Sequence, residues 1–258
     1  MHKNGIKLIV ADLYNTLLRR DKTITDYTVH VFRLIRERGI LIAFATARDF
    51  RFVTEHISPL FDVVPDIIIA DNGALARYNG NDVYKRLIPA ETANALLPRF
   101  ELARCISTET VYFLSGEYSN DHWSFGKKAT IITDFFDGIK DDVLYLDGNI
   151  GNSLADITEG FHEVRAVTYS DVPVGLVTVV HKEATKLNAL VAIENALNIK
   201  ENEILAFGDD YNDIDLLAHC TNSVAVANAI DEAKAIANHI CGDCDNDGVA
   251  KWLEENVL

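Results

Sequence analysis

The first third of the chain alternates short apolar runs with longer segments of helical periodicity. Residues 6–11, 40–45 and 66–70 are short, mainly apolar runs with many β-branched side chains, which is typical of strands buried on both faces. Helices are predicted between them, over about 25–38 and 49–57. This order of strand, helix, strand, helix and strand predicts a parallel sheet with right-handed crossovers.

The first of these helices shows start and stop signals. Thr25 is a residue type that caps helix N-termini, and Gly39 is the type expected just beyond a C-terminus. Its apolar positions predict an inner face formed by Val29, Phe32, Leu34 and Ile35.

The pattern changes in the middle of the chain, from about Tyr78. Alternating segments such as 111–116 and 127–133, separated by turn residues, are typical of an α+β module. Beyond residues 175–180 the first pattern returns, with helices predicted over about 185–197, 212–219 and 230–237 and strands over 204–207 and 223–227. The predicted fold is therefore a doubly wound parallel α/β core, residues 1–77 and 179–258, with an inserted α+β domain at 78–178.

Aromatic side chains of the inserted domain allow two interpretations. They could line a substrate pocket, but in a small sheet they more often belong to the core. The residues concerned are Tyr112, Tyr118, His122 and Trp123.

The net charge restricts the possible partners of the protein more than it restricts its fold. The 258 residues contain 39 acidic and 24 basic side chains, a net charge of -15, which is the wrong sign for nucleic-acid binding. The excess is concentrated in residues 201–258, where the only basic side chains besides histidine are Lys234 and Lys251. No apolar run reaches the length of a membrane span, and residues 1–14 lack the pattern of a signal peptide. We expect a cytoplasmic protein that binds neither nucleic acid nor membrane, and the sequence leaves the oligomeric state open.

Residues with candidate catalytic or metal-binding side chains come directly after the predicted strands. Carboxyl ends of parallel strands meet at one edge of a sheet, so the residues just beyond them are expected to lie together. These residues are Asp12, Thr46, Arg48 and the run Gly208–Asp213, and Lys186 begins the helix before the last of these strands. Any one of them could be a cap, a turn residue or a surface charge. Together, a carboxylate nucleophile, a hydroxyl, an ammonium and an acidic cluster are the parts of a site for phosphoryl groups and Mg²⁺.

Two motifs near the C-terminus are interpreted as incidental. Cys241 and Cys244 form a C-x-x-C pair, which could be half a zinc site or a redox pair, but no second pair at zinc-site spacing accompanies it and reduced thiols are expected. An EF-hand calcium pattern is also present, although the residues before it predict a strand or turn rather than the required entering helix. It consists of Asp243, Asp245, Asp247, Gly248 and Glu254.

These motifs, in this order and spacing, resemble the haloacid dehalogenase superfamily, and in particular its Cof-like phosphatases with a cap inserted between the second and third motifs. The resemblance covers nearly the whole chain outside residues 78–178. It rests on segments 12–17 (DLYNTL), 45–48 (ATAR), Lys186, 208–213 (GDDYND), 71–74 (DNGA), 224–229 (VAVANA) and 247–250 (DGVA).

The resemblance implies a role for each site residue. Asp12 would be the nucleophile that becomes an aspartyl phosphate, and Lys186 would pair it with the substrate. Phosphate would be bound by Thr46, the Ala47 amide, Arg48, Lys186 and Asn212. Mg²⁺ would be bound by Asp12, the carbonyl oxygen of Tyr14 and Asp209, with Asp213 as an outer or occasional ligand. The implied substrate is a small phosphorylated metabolite, with sugar phosphates as the expected class.

The first motif departs from the family pattern at Tyr14. Phosphatases of the family have there an aspartate that protonates the leaving group and then activates water. A phenol with an ordinary pKa near ~10 could donate a proton but is a poor general base at neutral pH, so Tyr14 would take part in catalysis only in a limited way. Three activities therefore remain open: slow hydrolysis of phosphate esters, phosphate binding without turnover, and 2-haloacid dehalogenation, since dehalogenases of the superfamily carry tyrosine at this position. Asn15 and Ala47 also replace glycines of the family pattern.

Overall fold

The computed structural model describes residues 5–62, 64–100, 102–106, 110–113, 128–131, 138–150, 157–170 and 175–258. Its strands are β1 (Leu8–Ala11), β2 (Leu41–Ala45), β3 (Ile67–Ala70), β4 (Leu75–Tyr78), β5 (Asn81–Lys85), β6 (Leu102–Ile106), β7 (Thr110–Phe113), β8 (Lys128–Ile131), β9 (Tyr145–Asn149), β10 (Val164–Val167), β11 (Leu176–His181), β12 (Ile204–Gly208), β13 (Asn222–Ala225) and β14 (His239–Ile240). Its α-helices are α1 (Asp26–Glu37), α2 (Phe50–Phe52), α3 (Ala90–Leu96), α4 (Lys186–Leu197), α5 (Ile214–His219), α6 (Asp231–Ile236) and α7 (Gly248–Asn256).

One sheet contains the predicted buried strands. Its order is β14-β13-β12-β1-β2-β3-β4-β5, and every pairing from β14 to β3 is parallel. All four residues of β1 are fully buried, as its continuous apolar sequence predicts for a central strand. Helix α1 contacts α7, whereas α4 contacts α5 and α5 contacts α6, so the helices form two groups. The α/β fold with a wound parallel sheet is confirmed.

Helix α1 begins as predicted but buries a different stripe. The Thr25 hydroxyl accepts a hydrogen bond from the Thr28 amide, and the chain leaves the helix through Gly39 at φ 74°. The buried side chains are Thr28, Val31, Phe32 and Ile35, which follow the i, i+3, i+4, i+7 spacing of a helix face. The prediction of Val29 and Leu34 was wrong, because those two positions lie beside this stripe and are only half-buried.

The segment after β2 is more irregular than the single helix predicted over 49–57. Asp49 caps a short α-helical turn, and Val53–Ile57 then form a wider π-helical turn that leads into a 3₁₀ turn. The 3₁₀ turn ends at Phe61, whose ring lies 4.7 Å from that of Phe44 and 5.6 Å from that of Phe32. Burial of these three rings together favours this path, and tertiary packing of this kind overrides local helix propensity.

The chain forms two compact units, residues 1–85 with 185–258 and residues 86–184. The first unit extends past residue 77 because β4 and β5 form an antiparallel hairpin on the edge of the main sheet. In the second unit the sheet order is β10-β11-β9-β6-β7-β8, and most of its pairings are antiparallel. Tyr118, His122 and Trp123 lie outside the described residues, as does the side chain of Tyr112. Within the described parts of the chain, no helix has the length and apolar character needed to cross a membrane.

Candidate active site

Strand register brings the predicted site residues to one edge of the main sheet. Ala11 of β1 pairs with Phe44 of β2 and with Phe207 of β12, so these three parallel strands end together. Asp12, Thr46 and Asp209 therefore follow neighbouring strands at the same edge. The structure places them where the sequence predicts, because the register of a fully buried parallel sheet leaves little freedom in how its strands align.

A lysine between two carboxylates forms the centre of this edge. Nζ of Lys186 lies 2.6 Å from Oδ1 of Asp12 and 2.6 Å from Oδ1 of Asp213. The Lys186 side chain is fully buried, and only Asp12 of the three remains slightly exposed. A buried charge of this kind requires paired and hydrogen-bonded partners, which both carboxylates provide. The one exposed member, Asp12, is the group that a substrate could reach.

Lys186 is brought to the site by the start of α4. Thr185 caps that helix, its hydroxyl accepting a hydrogen bond from the Asn188 amide at 2.9 Å. Gly73 lies directly against the Thr185 carbonyl: a Cβ atom at residue 73 would be 2.1 Å from that oxygen. The absence of a side chain at Gly73 therefore lets α4 begin close to the end of β3.

Asp209 and Asp213 have different surroundings. Oδ1 of Asp209 accepts a hydrogen bond of 2.6 Å from the Thr16 hydroxyl. Asp213 uses both of its carboxylate oxygens inside the protein, since Oδ1 faces Lys186 and Oδ2 accepts from the amides of Asp209 and Asp210 at 3.0 and 3.3 Å. Asp213 thus holds Lys186 and the loop in place, while Asp209 is oriented by Thr16 towards Asp12.

Burial and mutual repulsion make these carboxylates hard to ionise. Burial raises the pKa of Asp12 to about 7, against the attraction of Lys186 and with the help of Asp213. Burial likewise raises the pKa of Asp209 to about 9, and Asp12 and Asp213 add to the effect. For Lys186, burial would lower the pKa, but the two carboxylates beside it hold the value above that of an ordinary lysine. Negative charge at this edge exceeds what Lys186 neutralises.

The donor set fits a hard divalent cation. Carboxylate oxygens of Asp12, Asp209 and Asp213 all lie within 4.8 Å of one another. Oxygen-rich, acidic sites of this kind suit Mg²⁺, and a cation there would offset the repulsion that raises the carboxylate pKa values. Because both oxygens of Asp213 are engaged elsewhere, Asp12 and Asp209 are the residues suited to direct ligation.

A second group of predicted residues lies beyond β2. Thr46 is buried, and its hydroxyl accepts from the Arg48 amide at 3.2 Å; the helix cap that follows is Asp49, not Thr46. The Arg48 guanidinium lies over the Tyr14 ring, 4.5 Å from its centroid. Burial raises the pKa of Tyr14, although Arg48 opposes the shift. Position 14 therefore presents a neutral phenol covered by a guanidinium.

Two residues without a predicted role also belong to this edge. Thr16 orients Asp209, and Oδ1 of Asn72 accepts a hydrogen bond of 3.2 Å from Nδ2 of Asn212. Both lie inside segments that resemble family motifs, 12–17 and 71–74, so their place in those motifs was the available signal. Asn15, at a glycine position of the family pattern, has φ 59°, a conformation that asparagine tolerates.

The two C-terminal motifs have structural explanations. The residues before Asp243 form β14 and not an entering helix, and the Arg20 guanidinium donates hydrogen bonds to both Asp243 and Asp245. The structure thus disfavours the EF-hand, as expected. Cys241 and Cys244 are buried free thiols, and burial raises the pKa of Cys241 to about 12 and that of Cys244 to about 11. Thiols of this kind are unreactive.

Comparison with known families agrees with this geometry. Residues 9–253 match the model of the haloacid dehalogenase-like hydrolases. The chain belongs to this family. It is therefore a hydrolase of the haloacid dehalogenase superfamily, and both the resemblance and the enzyme prediction are confirmed.

Individual relatives extend the likeness to nearly the full length. The chain is 26% identical to the 5-amino-6-(5-phospho-D-ribitylamino)uracil phosphatase YitU of Bacillus subtilis, over 96% of each chain. It is 24% identical to the HMP-PP phosphatase of Klebsiella pneumoniae, covering 96% of this chain and 94% of the relative. Among solved structures, the subclass IIB sugar phosphatase BT4131 superposes with a TM-score of 0.80 at 21% identity, over 96% of this chain and 98% of that one. This last likeness shows a shared fold.

Proposed function

We propose that this hydrolase removes the phosphoryl group from a small phosphorylated metabolite, with sugar phosphates as the first class to test. The observation that carries the proposal is Asp12, slightly exposed at the end of β1 and held at 2.6 Å by the buried Lys186 ammonium. A carboxylate fixed in this way is a candidate nucleophile for phosphorus, and Lys186 is placed to neutralise the incoming phosphate. The names of the relatives support a phosphorylated substrate.

In this proposal each side chain has a defined task. Oδ of Asp12 attacks phosphorus and forms an aspartyl phosphate as the bond between phosphorus and the leaving oxygen breaks, and that oxygen takes its proton from the Tyr14 phenol or from water. Thr46, the Ala47 amide, Arg48 and Asn212 bind the phosphoryl oxygens, and Lys186 keeps the nucleophile and the phosphate together. Asp213 keeps Lys186 in position through the 2.6 Å contact between them.

Mg²⁺ is the proposed cofactor, with Asp12, Asp209 and the carbonyl oxygen of Tyr14 as its ligands. When bound, the ion would neutralise charge on the phosphoryl oxygens. Its support is the excess of negative charge that raises the pKa values of Asp12 and Asp209. Asp213 is proposed as an outer residue and not a direct ligand, because its two oxygens already accept other hydrogen bonds.

Tyr14 makes turnover slow in this proposal. The aspartyl phosphate must be hydrolysed by water, and a neutral phenol cannot take the proton from that water at neutral pH. A missing general base typically costs a factor of about 10² to 10⁴ in rate. The second candidate, a phosphate-binding protein without turnover, rests on this same residue and on the guanidinium of Arg48 that covers it.

One assay separates the candidates. Purified protein is incubated with Mg²⁺ and a panel of phosphorylated metabolites, and phosphate release is measured beside Asp12→Asn and Tyr14→Asp. Release by the parent that Asp12→Asn abolishes supports the hydrolase. A silent parent with an active Tyr14→Asp variant would instead favour the binding protein. Halide release from 2-chloropropionate without metal tests the dehalogenase alternative.

A further inference from the structure

The turn that follows β3 has an unusual backbone. Asp71, Asn72 and Gly73 have φ values of 54°, 56° and 86°, so three successive residues adopt the left-handed region. Asp71 and Asn72 are also fully buried. Each non-glycine residue in this region costs on the order of 1 kcal/mol or more, and such costs persist where surrounding contacts hold the chain in place.

Those contacts join the turn to the proposed phosphate-binding residues. The Asn72 amide donates to the Thr46 carbonyl at 3.1 Å, and the Asp71 amide donates to the Arg48 carbonyl at 3.0 Å. On its other side, Gly73 lies against Thr185, the residue before Lys186. The turn therefore contacts the loop after β2 and the start of α4 at once.

The side chain of Asn72 reaches a third part of the site. Its Oδ1 atom accepts a hydrogen bond of 3.2 Å from Nδ2 of Asn212. This contact places the Nδ2 end of the Asn212 amide towards Asn72. The Nδ2 atom of Asn212 carries a second N–H, which can donate to another group. If the amide turned over, its oxygen would face that group instead, and an oxygen repels an anion.

We propose that Asn72 is a positioning residue, which orients the Asn212 amide so that its free N–H donates to a phosphoryl oxygen. This inference rests on the proposed function, since it assumes that Asn212 binds phosphate. Asn72 itself is buried and acts through Asn212.

The test uses Asn72→Gly, because glycine keeps the left-handed backbone at φ 56° and removes only the side chain. Asn79→Gly is the matched control: Asn79 is exposed, has φ 48° and lies at the turn between β4 and β5. The other variants are Asn212→Ala and the double variant. Binding of inorganic phosphate in the presence of Mg²⁺ is measured by titration calorimetry, and KM and kcat are measured with p-nitrophenyl phosphate. Thermal denaturation verifies that each variant is folded.

We expect Asn72→Gly to weaken phosphate binding about tenfold and to raise KM in proportion, because a hydrogen bond to an anion is lost. Asn79→Gly should bind phosphate as the parent does. If Asn72 affects phosphate binding through Asn212, the double variant should be no weaker than Asn212→Ala. Unchanged phosphate binding by Asn72→Gly, or losses that multiply in the double variant, would overturn the inference. A parent that binds phosphate but never releases it from an ester would refute the proposed hydrolase instead, and the calorimetric comparison would still decide the role of Asn72.

Discussion

At position 14 the chemistry of one side chain limits the proposed reaction. The Tyr14 ring is half-buried beneath Arg48, and its raised pKa keeps the phenol neutral at physiological pH. We predict that Tyr14→Asp increases steady-state phosphate release by at least about tenfold, because it supplies the missing acid/base group. Burst kinetics would locate the gain: the parent should show a burst of released alcohol followed by a slow phase, and the variant should not.

Tyr14→Phe is the matched control for this prediction. It keeps the ring beneath Arg48 and removes the hydroxyl, so the rate should be unchanged if the phenol transfers no proton. A loss of about tenfold or more in the rate of the burst in Tyr14→Phe would show that the phenol is the general acid for the leaving group. In that case the slow step would be the attack of water alone.

Replacing Asp213 tests whether its ion pair with the buried Lys186 stabilises the fold. In Asp213→Asn an amide replaces the carboxylate beside the Lys186 ammonium, and the buried charge loses one of its two partners. We expect the free energy of unfolding to fall by about 3–5 kcal/mol in urea titrations. Asp231→Asn is the control, since its carboxylate is fully exposed opposite Lys234 and its replacement should leave the free energy of unfolding nearly unchanged. Similar losses in the two variants would contradict a structural ion pair at Lys186.

The identity of the site residues could be read from the sequence, but their division of labour could not. Asp12, Lys186 and Asp209 follow predicted strands or begin a predicted helix, and strand register alone places them at one edge. The fact that Asp213 holds Lys186 depends on a contact between residues 27 positions apart in the chain. Thr16 and Asp209 are 193 positions apart. No local sequence pattern indicates contacts between residues so far apart in the chain.

At the scale of elements, the turn after β3 lies directly against the start of α4. A Cβ at Gly73 would be 2.1 Å from the Thr185 carbonyl oxygen, a backbone atom that cannot turn aside. We predict that Gly73→Ala lowers the free energy of unfolding by about 3 kcal/mol or more, from the clash together with the φ of 86°. Phosphate release should fall as well, because α4 carries Lys186.

Gly80→Ala separates the clash with Thr185 from the cost of the left-handed backbone. Gly80 has a similar φ of 80°, but nothing lies within 4 Å of the position a Cβ would take. Its replacement should therefore cost only the conformational part, about 1–2 kcal/mol. If urea titrations give equal losses for the two variants, the approach to Thr185 contributes nothing.

Elements with a strong periodic signal were predictable, and those determined by packing were not. The six parallel strands of the main sheet include five that continuous apolar runs predicted, whereas β14 has only two residues and both are exposed. The edge hairpin of β4 and β5 also escaped prediction, because its only buried residues, Leu75 and Ala76, are too few to form a continuous apolar run. The π-helical turn at Val53–Ile57 follows the burial of Phe61, a tertiary requirement.

At the scale of the whole molecule, the net charge of -15 and the acidic edge of the sheet act differently. Charges spread over the surface are screened by salt and mainly affect solubility. Asp12 and Asp209 are buried, and their pKa values of about 7 and about 9 lie well above the ordinary 3.8. Without a cation these two groups therefore bind more protons in the folded protein than in the unfolded chain between about pH 4 and pH 9, and their contribution to stability falls as pH rises through that window.

A divalent cation should weaken this dependence of stability on pH. With EDTA present, we predict that the free energy of unfolding falls by about 2 kcal/mol or more between pH 5 and pH 9. With Mg²⁺ present the fall should be smaller, because a cation bound only by the folded protein stabilises it most where the carboxylates are ionised.

Asp209→Asn should flatten the pH dependence of the free energy of unfolding in EDTA and remove the effect of Mg²⁺. Asp215→Asn makes the same change of charge at an exposed position of α5 and should behave like the parent. Equal pH profiles for the two variants would place the effect in the general surface charge and not at the Asp12 and Asp209 pair.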